Sequence, residues 1–218
     1  MGVTSLDEVR RIYDEAADSY DRMMDEEIRL PIYDQVLNEL ATKIHLVTGP
    51  VLDASCGSGH MLQRIQQEYA PGRPLIGIDL SPRMVGIAER RLGPSAEVFE
   101  GDMRDVAQVS DNSCAAIINF FAIHHLDAED LQRCFHASNR ILAPGGFVLI
   151  ATWEGEGEFS FGGEFDPVTR RYTTSELADA ALAAKLGVVD LSVQVIGDMG
   201  IDAVLLWAAK ASVSAWAS

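Results

Sequence analysis

In the string VLDASCGSGH (51–60), a short apolar run ends in an acid, Asp53, and then passes through two glycines, Gly57 and Gly59. Glycine takes positive φ at little steric cost and has no Cβ, so a G-x-G turn after a strand lets a ligand come close to the backbone. Two ligand classes use such a turn. A dinucleotide needs G-x-G-x-x-G and rests its pyrophosphate on the following helix N-terminus. Here the third glycine is Leu62, and Asp53 would sit badly beside a diphosphate. The acid suits a ligand that brings positive charge.

Two more acids fall at matching places. Asp79 closes PLIGIDL (74–80), 20 residues after Gly59, where a carboxylate can accept both hydroxyls of a ribose. Asp102, in GDM (101–103), is placed to accept from an adenine amino group. An acid after each of three successive strands describes a site for a cationic adenosine compound without phosphates. S-adenosylmethionine is that compound. His124 and His125 follow the apolar run SCAAIINFF (113–121). Imidazole, with a pKa near ~6.5, can take a proton or orient an acceptor at neutral pH.

The surrounding pattern supplies elements to hold these residues. Ser5 to Glu8 is a capping box that opens an amphipathic helix with Leu6, Val9, Tyr13, Ala16, Tyr20 and Met23 or Met24 on one side. Pro31 starts a second helix through Ile44. From residue 50 apolar strands alternate with helices: PVLDAS, a helix from Gly59 to Tyr69, PLIGIDL, a helix from Ser81 to Gly93, AEVFEGD, SCAAIINFF, a helix from Asp127, and FVLIATW after an APGG turn. Thr173 to Glu176 caps another helix, and two β segments near 188–196 and 201–210 should pair antiparallel. Continuous apolar strands alternating with amphipathic helices predict an α/β fold, a parallel sheet covered on both faces. Ligands then bind beyond the carboxyl ends of the strands.

Taken together, VLDASCGSG, LIGIDLSPRM, EGDMRDV and INFFAIHHL followed by ILAPGGFVLI resemble the motifs of class I S-adenosylmethionine-dependent methyltransferases, in particular the small-molecule enzymes of the methyltransferase domain 11/25 type. The likeness runs from about Tyr13 to the C-terminus and departs at Ser55, where the family usually has a glycine. It implies a Rossmann-like, mainly parallel seven-stranded sheet with a C-terminal antiparallel strand. It implies one methyltransferase domain over 1–218: a helical lid at 1–48, a cofactor core at 49–153, a substrate loop at 154–172, and a helix with a β-hairpin at 173–218. The cofactor would meet Gly57, Gly59, Ser55 and Asp53 along its methionine part, Asp79 at the ribose, and Asp102, Met103, Leu80 and Met84 around the adenine. The Asn119 carbonyl would lie near the methionine amino group, and Tyr13 or Tyr20 would close over the ligand. In similar amino-sugar and small-amine enzymes the histidine before the leucine faces the acceptor, which points to His125, with His124 the other candidate. No metal is implied.

Composition narrows the partners. With 33 acidic against 17 basic residues the net charge is −16, which argues against nucleic acid and anionic membrane surfaces. No apolar run reaches the ~18 residues of a membrane span, and the N-terminus lacks a signal-peptide core, so a cytoplasmic protein is expected, monomer or homodimer. The expected acceptor is a small metabolite, aromatic or amine-bearing, with Trp153, Phe159, Phe161, Phe165 and Arg171 as candidate walls. O-, N- and C-methylation stay open at this point. So do two rivals: a protein that binds S-adenosylmethionine without moving its methyl, and a nicotinamide oxidoreductase. Cys56, Cys114 and Cys134 lack metal-type spacing and are expected to pack as small hydrophobes.

Overall fold

A computed structural model describes residues 3–160, 162, 167–196 and 200–212. Seven strands form one sheet in the order β3-β2-β1-β4-β5-β9-β8. They are β1 (Val51–Asp53), β2 (Leu75–Asp79), β3 (Ala96–Glu100), β4 (Cys114–Phe120), β5 (Leu142–Trp153), β8 (Leu186–Val195) and β9 (Asp202–Lys210). The first five run parallel, and β9 is antiparallel to both β5 and β8. β6 (Glu158–Phe159) and β7 (Thr169–Arg170) make a separate two-stranded piece inside the stretch that reads as irregular from sequence.

The period of two in the strands sorts side chains onto two cores. Leu52, Ile78, Ile117, Val148 and Leu206 face one layer, packed with α5 (Ala128–Ile141) and α6 (Thr174–Ala183). Val51, Leu75, Ile118, Leu149 and Trp207 face the other, packed with α2 (Pro31–Ile44) and α3 (His60–Arg64). α1 (Leu6–Glu27) and α4 (Pro82–Leu92) complete the helices. Ser81, Asp127 and Thr173 each accept from a first-turn N–H, and Thr173 with Glu176 closes a reciprocal box, whereas the box expected at Ser5 is only half made: Ser5 accepts the Glu8 N–H, but the Glu8 carboxylate turns to the Arg11 guanidinium. On α1, Met24 is buried and Met23 exposed.

Two elements differ from the expectation. The helix from Gly59 to Tyr69 keeps α geometry only to Arg64; the chain then widens into a π turn, with the Ala70 N–H on the Ile65 carbonyl at 2.8 Å. APGG does not precede β5 but lies within it, because β5 bulges against β4 between Cys114 and Ala116. A Cβ on Gly146 would meet three carbonyl oxygens at 2.9–3.0 Å, so only glycine passes there.

The sheet's order reverses around β1, which has β2 on one side and β4 on the other. The glycine loop leaves the sheet at that reversal, where open α/β sheets leave a crevice. No helix among the described residues is long and apolar enough to cross a membrane.

Candidate functional site

Two adjoining cavities lie at the carboxyl ends of β1, β2 and β4. The first, about 580 Å³ including its open mouth, is walled by Ser55, Gly57, Asp79, Leu80, Met84 and Met103, among others. The second, about 1590 Å³ including its open mouth, runs along α1 from Ile12 to Glu27 and takes in Asp53, Tyr33, His124 and Trp153. Tyr13, Tyr20, Ser55, Phe120, Phe121 and His125 border both.

Asp79 is the polar anchor of the first cavity. Its carboxylate accepts the Gly57 N–H at 2.8 Å and the Ser81 N–H at 2.9 Å. Burial pushes it up to about 6 despite those bonds. Gly57 has φ +50°, and a Cβ there would touch the Tyr20 ring at 3.2 Å. Ser55 is not among the residues with positive φ, so the serine costs no strain where the family favours glycine. Its Oγ is buried and without a partner, a hydroxyl that a ligand between the two cavities would satisfy. Asp53 is almost fully buried and accepts the Ser55 N–H at 3.2 Å; burial pushes its carboxyl up to about 7, with Asp79 adding repulsion.

Three expected residues do not line either cavity. The Asp102 carboxylate is gripped by Arg104, whose Nε donates to Oδ1 at 3.0 Å and to Oδ2 at 2.8 Å. Arg104 also reaches Asp130 at 2.6 Å, and the cavity wall uses Gly101 and Met103 instead of Asp102. A guanidinium two residues away outcompetes a neutral amino group for a carboxylate, since the ion pair is charge-assisted. Gly59 has φ +87°, but its missing Cβ faces Ala88 at 3.2 Å; the glycine serves helix packing and borders neither cavity. Asn119 is buried and lines neither cavity; its amide donates to Met103 Sδ at 3.2 Å while Oδ1 lacks a partner. Leu80, Met84 and Met103 do line the first cavity. Trp153 lines the second and Phe159 stands 6.2 Å from it ring to ring, whereas Arg171 packs at Gly155, away from both. Phe161 and Phe165 lie outside the described residues.

Both histidines are buried, and their rings meet at 3.0 Å between Nε2 atoms. The Tyr13 hydroxyl lies 3.1 Å from the same Nε2 of His125. A neutral imidazole nitrogen carries one proton or one lone pair, so two neighbours compete for it. Burial lowers His125 to about 4 and His124 further, helped by its neighbour, so both rings are neutral at pH 7. In the tautomer whose Nε2 bears no hydrogen, an incoming X–H group that displaced Tyr13 would meet that lone pair at the border of the two cavities.

Sequence reasoning missed how α1 is held. Arg10 pairs with Glu100 at 2.7 Å; Asp14 takes the Ser81 hydroxyl; Asp18 pairs with Arg83 at 2.8 Å; Asp21 with Arg91 at 2.7 Å; and Asp25 with His60 at 3.0 Å. The acids recur every three or four residues, a helical stripe legible in the sequence. Their partners, Ser81, Arg83, Arg91 and His60, are not. The stripe holds Tyr13 and Tyr20 over the cavities. The three cysteines are free and buried.

Comparison with known proteins agrees with this architecture. Residues 51–146 match the methyltransferase domain family. A dTDP-4-amino-2,3,4,6-tetradeoxy-D-glucose N,N-dimethyltransferase of Saccharopolyspora spinosa is 35% identical over 103 residues, 47% of this chain and 40% of that protein. An uncharacterized methyltransferase of Bacillus cytotoxicus is 28% identical over 151 residues, 66% of each chain. The chain thus spans between two fifths and two thirds of these relatives. Among solved structures, the Burkholderia thailandensis 1,6-didemethyltoxoflavin-N1-methyltransferase, bound to 1,6-didemethyltoxoflavin and S-adenosylhomocysteine, superposes with TM-score 0.74 at 19% identity, over 97% of this chain and 93% of that one. A methyltransferase from Clostridium acetobutylicum gives TM-score 0.70 at 16% identity, over 92% and 99%. At these identities the structures speak for the fold.

Proposed function

We infer that this chain is a class I S-adenosylmethionine-dependent methyltransferase and that it transfers the methyl group of S-adenosylmethionine to a small-molecule acceptor. The observation that carries the reading is Asp79: a carboxylate oriented by two backbone N–H groups at the floor of a cavity walled by Leu80, Met84 and Met103. It suits a ribose diol, and the thioether and leucine side chains suit a flat purine beside it. Ser55 Oγ, lacking a partner, and Asp53, buried without a cation, both gain from a ligand that brings donors and positive charge. The residues present therefore fit the cofactor. Acceptors in the relatives' names are small molecules, which supports the same class here.

When bound, the cofactor supplies an activated methyl on a sulfonium, so little covalent work falls to the protein. Its residues position and shield. Asp79 and the Gly57 turn would fix the adenosine end, and Asp53 and Ser55 the methionine end. Tyr13 and Tyr20, carried by α1, would close the border between the cavities and exclude water, with α1 and α2 together acting as a lid. His125, neutral and buried, would orient the acceptor and, in the tautomer whose Nε2 bears no hydrogen, take its departing proton there, with the His124 ring alongside at 3.0 Å. Orientation of the acceptor is the main source of rate here.

Calorimetric titration with S-adenosylmethionine, S-adenosylhomocysteine and NADH tests the reading. Micromolar binding of both adenosyl compounds and none of NADH is expected. Silence from both would overturn it. If binding is found, release of S-adenosylhomocysteine with an acceptor separates transfer from binding alone.

A further inference from the structure

Building on that reading, we propose that the second cavity takes a flat, phosphate-free aromatic amine as the methyl acceptor, and that Phe121 selects for it. Four side chains on its wall form one aromatic row: Tyr33 to Phe120 is 5.4 Å between centroids, Phe120 to Phe121 5.7 Å, and Phe121 to Trp153 4.5 Å. These are the spacings at which rings pack on one another, and the exposed flank of such a row binds another ring by the same forces.

Phe121 is held there at a cost. Its φ is +50°, in the left-handed region that a bulky L-residue enters only against ~1–2 kcal/mol. The conformation is kept by its N–H on the Ala151 carbonyl at 2.8 Å and by the ring's contact with Trp153. A glycine would take this corner without strain, but it would remove the Phe121 ring, the one that joins Phe120 to Trp153 in the row.

Charge sets the rest of the class. The wall of the second cavity contains Asp53 and Glu27 and no lysine or arginine. All 17 basic residues of the chain lie at described positions, so no cation for this wall is missing. A diphosphate would meet two carboxylates with no guanidinium or ammonium to offset them. An amine brings donors instead, and Glu27, which already accepts the Tyr33 hydroxyl at 3.1 Å, can accept another. An amine nitrogen also needs no base before attack. Its lone pair forms the N–C bond, the C–S bond breaks with its electron pair left on sulfur as a thioether, and the nitrogen's proton passes to His125 Nε2. A histidine held near 4 can accept a proton that becomes acidic as the N–C bond forms, but it is a poor base for a hydroxyl.

The test is calorimetric titration of ligand-free and S-adenosylhomocysteine-loaded protein with 5-aminoindole and 8-aminoquinoline, and with geranyl diphosphate and dTDP-glucose. The wild type should bind the amines and neither diphosphate. Phe121→Ala and Phe121→Gly should both weaken amine binding about tenfold, the scale of one aromatic contact, while Phe121→Tyr retains it. The glycine variant should melt above the alanine variant, because it alone relieves the positive φ; a shared loss of binding then cannot come from misfolding. The proposal falls if a diphosphate binds more tightly than the amines, if the wild type ignores the amines at millimolar concentration, or if both ring deletions leave their affinity unchanged. Failure of the cofactor reading would show separately, as absent S-adenosylhomocysteine binding, and leave the ligand-free titrations interpretable.

Discussion

Asp53→Asn should make the ligand-free protein more stable, and more so as pH rises. The carboxyl is 3% exposed. Burial raises it from 3.8 to about 7; the Ser55 N–H opposes the shift and Asp79 adds to it. A folded-state value above the unfolded one means that the folded state holds the proton more tightly. Stability from this group is therefore fully present below the unfolded value and declines as pH climbs to about 7. The ceiling on the loss is roughly 4 kcal/mol above pH 8, from about 1.36 kcal/mol per unit. Asparagine keeps the shape, and its Oδ1 can still accept the Ser55 N–H, but it has no charge to desolvate.

The gap between variant and wild type should widen by roughly 2–3 kcal/mol from pH 5 to pH 8.5. For a chain of this size that is about 5–10 °C in melting temperature. Urea or thermal unfolding of both proteins across that range measures it. Glu97→Gln, at an exposed strand position, controls for the general benefit of reducing a net charge of −16 and should change stability by under ~0.5 kcal/mol at every pH. A constant offset with pH would refute the reasoning, as would a destabilised variant at pH 8.5. The second arm has the opposite sign: S-adenosylmethionine should bind the variant less tightly, because the charge that costs stability alone is the one a cationic ligand offsets. A residue kept against its own folding cost is one that a ligand has use for.

Asp79→Ala should weaken S-adenosylhomocysteine binding at least tenfold, about 1.4 kcal/mol, by removing charge-assisted bonds; unchanged affinity by calorimetry would remove Asp79 from the ribose. His125→Ala should slow turnover while leaving cofactor affinity within about twofold, and collapse of cofactor binding instead would make His125 structural. Tyr13→Phe removes the hydroxyl that competes for His125 Nε2, so the pH profile of turnover should move while the melting temperature does not; an unmoved profile would separate Tyr13 from the histidine. Arg83→Ala cuts two ties of α1, to the Asp14 carbonyl and to Asp18. Exposed pairs contribute only ~0–1 kcal/mol each, so global stability should barely change while α1 amides exchange faster; equal protection of those amides would mean that the stripe does not hold the helix.

Why some of this was legible and some not follows from the range over which each feature acts. Asp53, Ser55, Gly57 and Asp79 lie within a residue or two of a strand end, and their local conformation places them: a glycine's positive φ and an acid's place after an apolar run are set by neighbours in sequence. The antiparallel C-terminal pair was readable for the same reason, as two β runs with no helix between them. Asp102 shows the limit of that reasoning. Its position after β3 is local, but the fate of its carboxylate depends on Arg104, whose other hydrogen bond reaches Asp130 on α5, 26 residues on. Gly59 shares its motif with Gly57, yet what its absent Cβ avoids is Ala88, on a helix the motif does not mention. The acids of α1 were visible as a stripe without their partners, which are brought up by the sheet's crossovers. Phe121 carries no signal at all, since a phenylalanine after an apolar strand reads as one more strand residue. Only the backbone shows that it has left the strand at φ +50°. Charge and small-residue spacing thus reach the end of the site proposed for the cofactor, because that end is built from short loops that fold on their own terms. The acceptor end is made of rings from α1, α2, β4 and β5, which share a wall only after the sheet has formed.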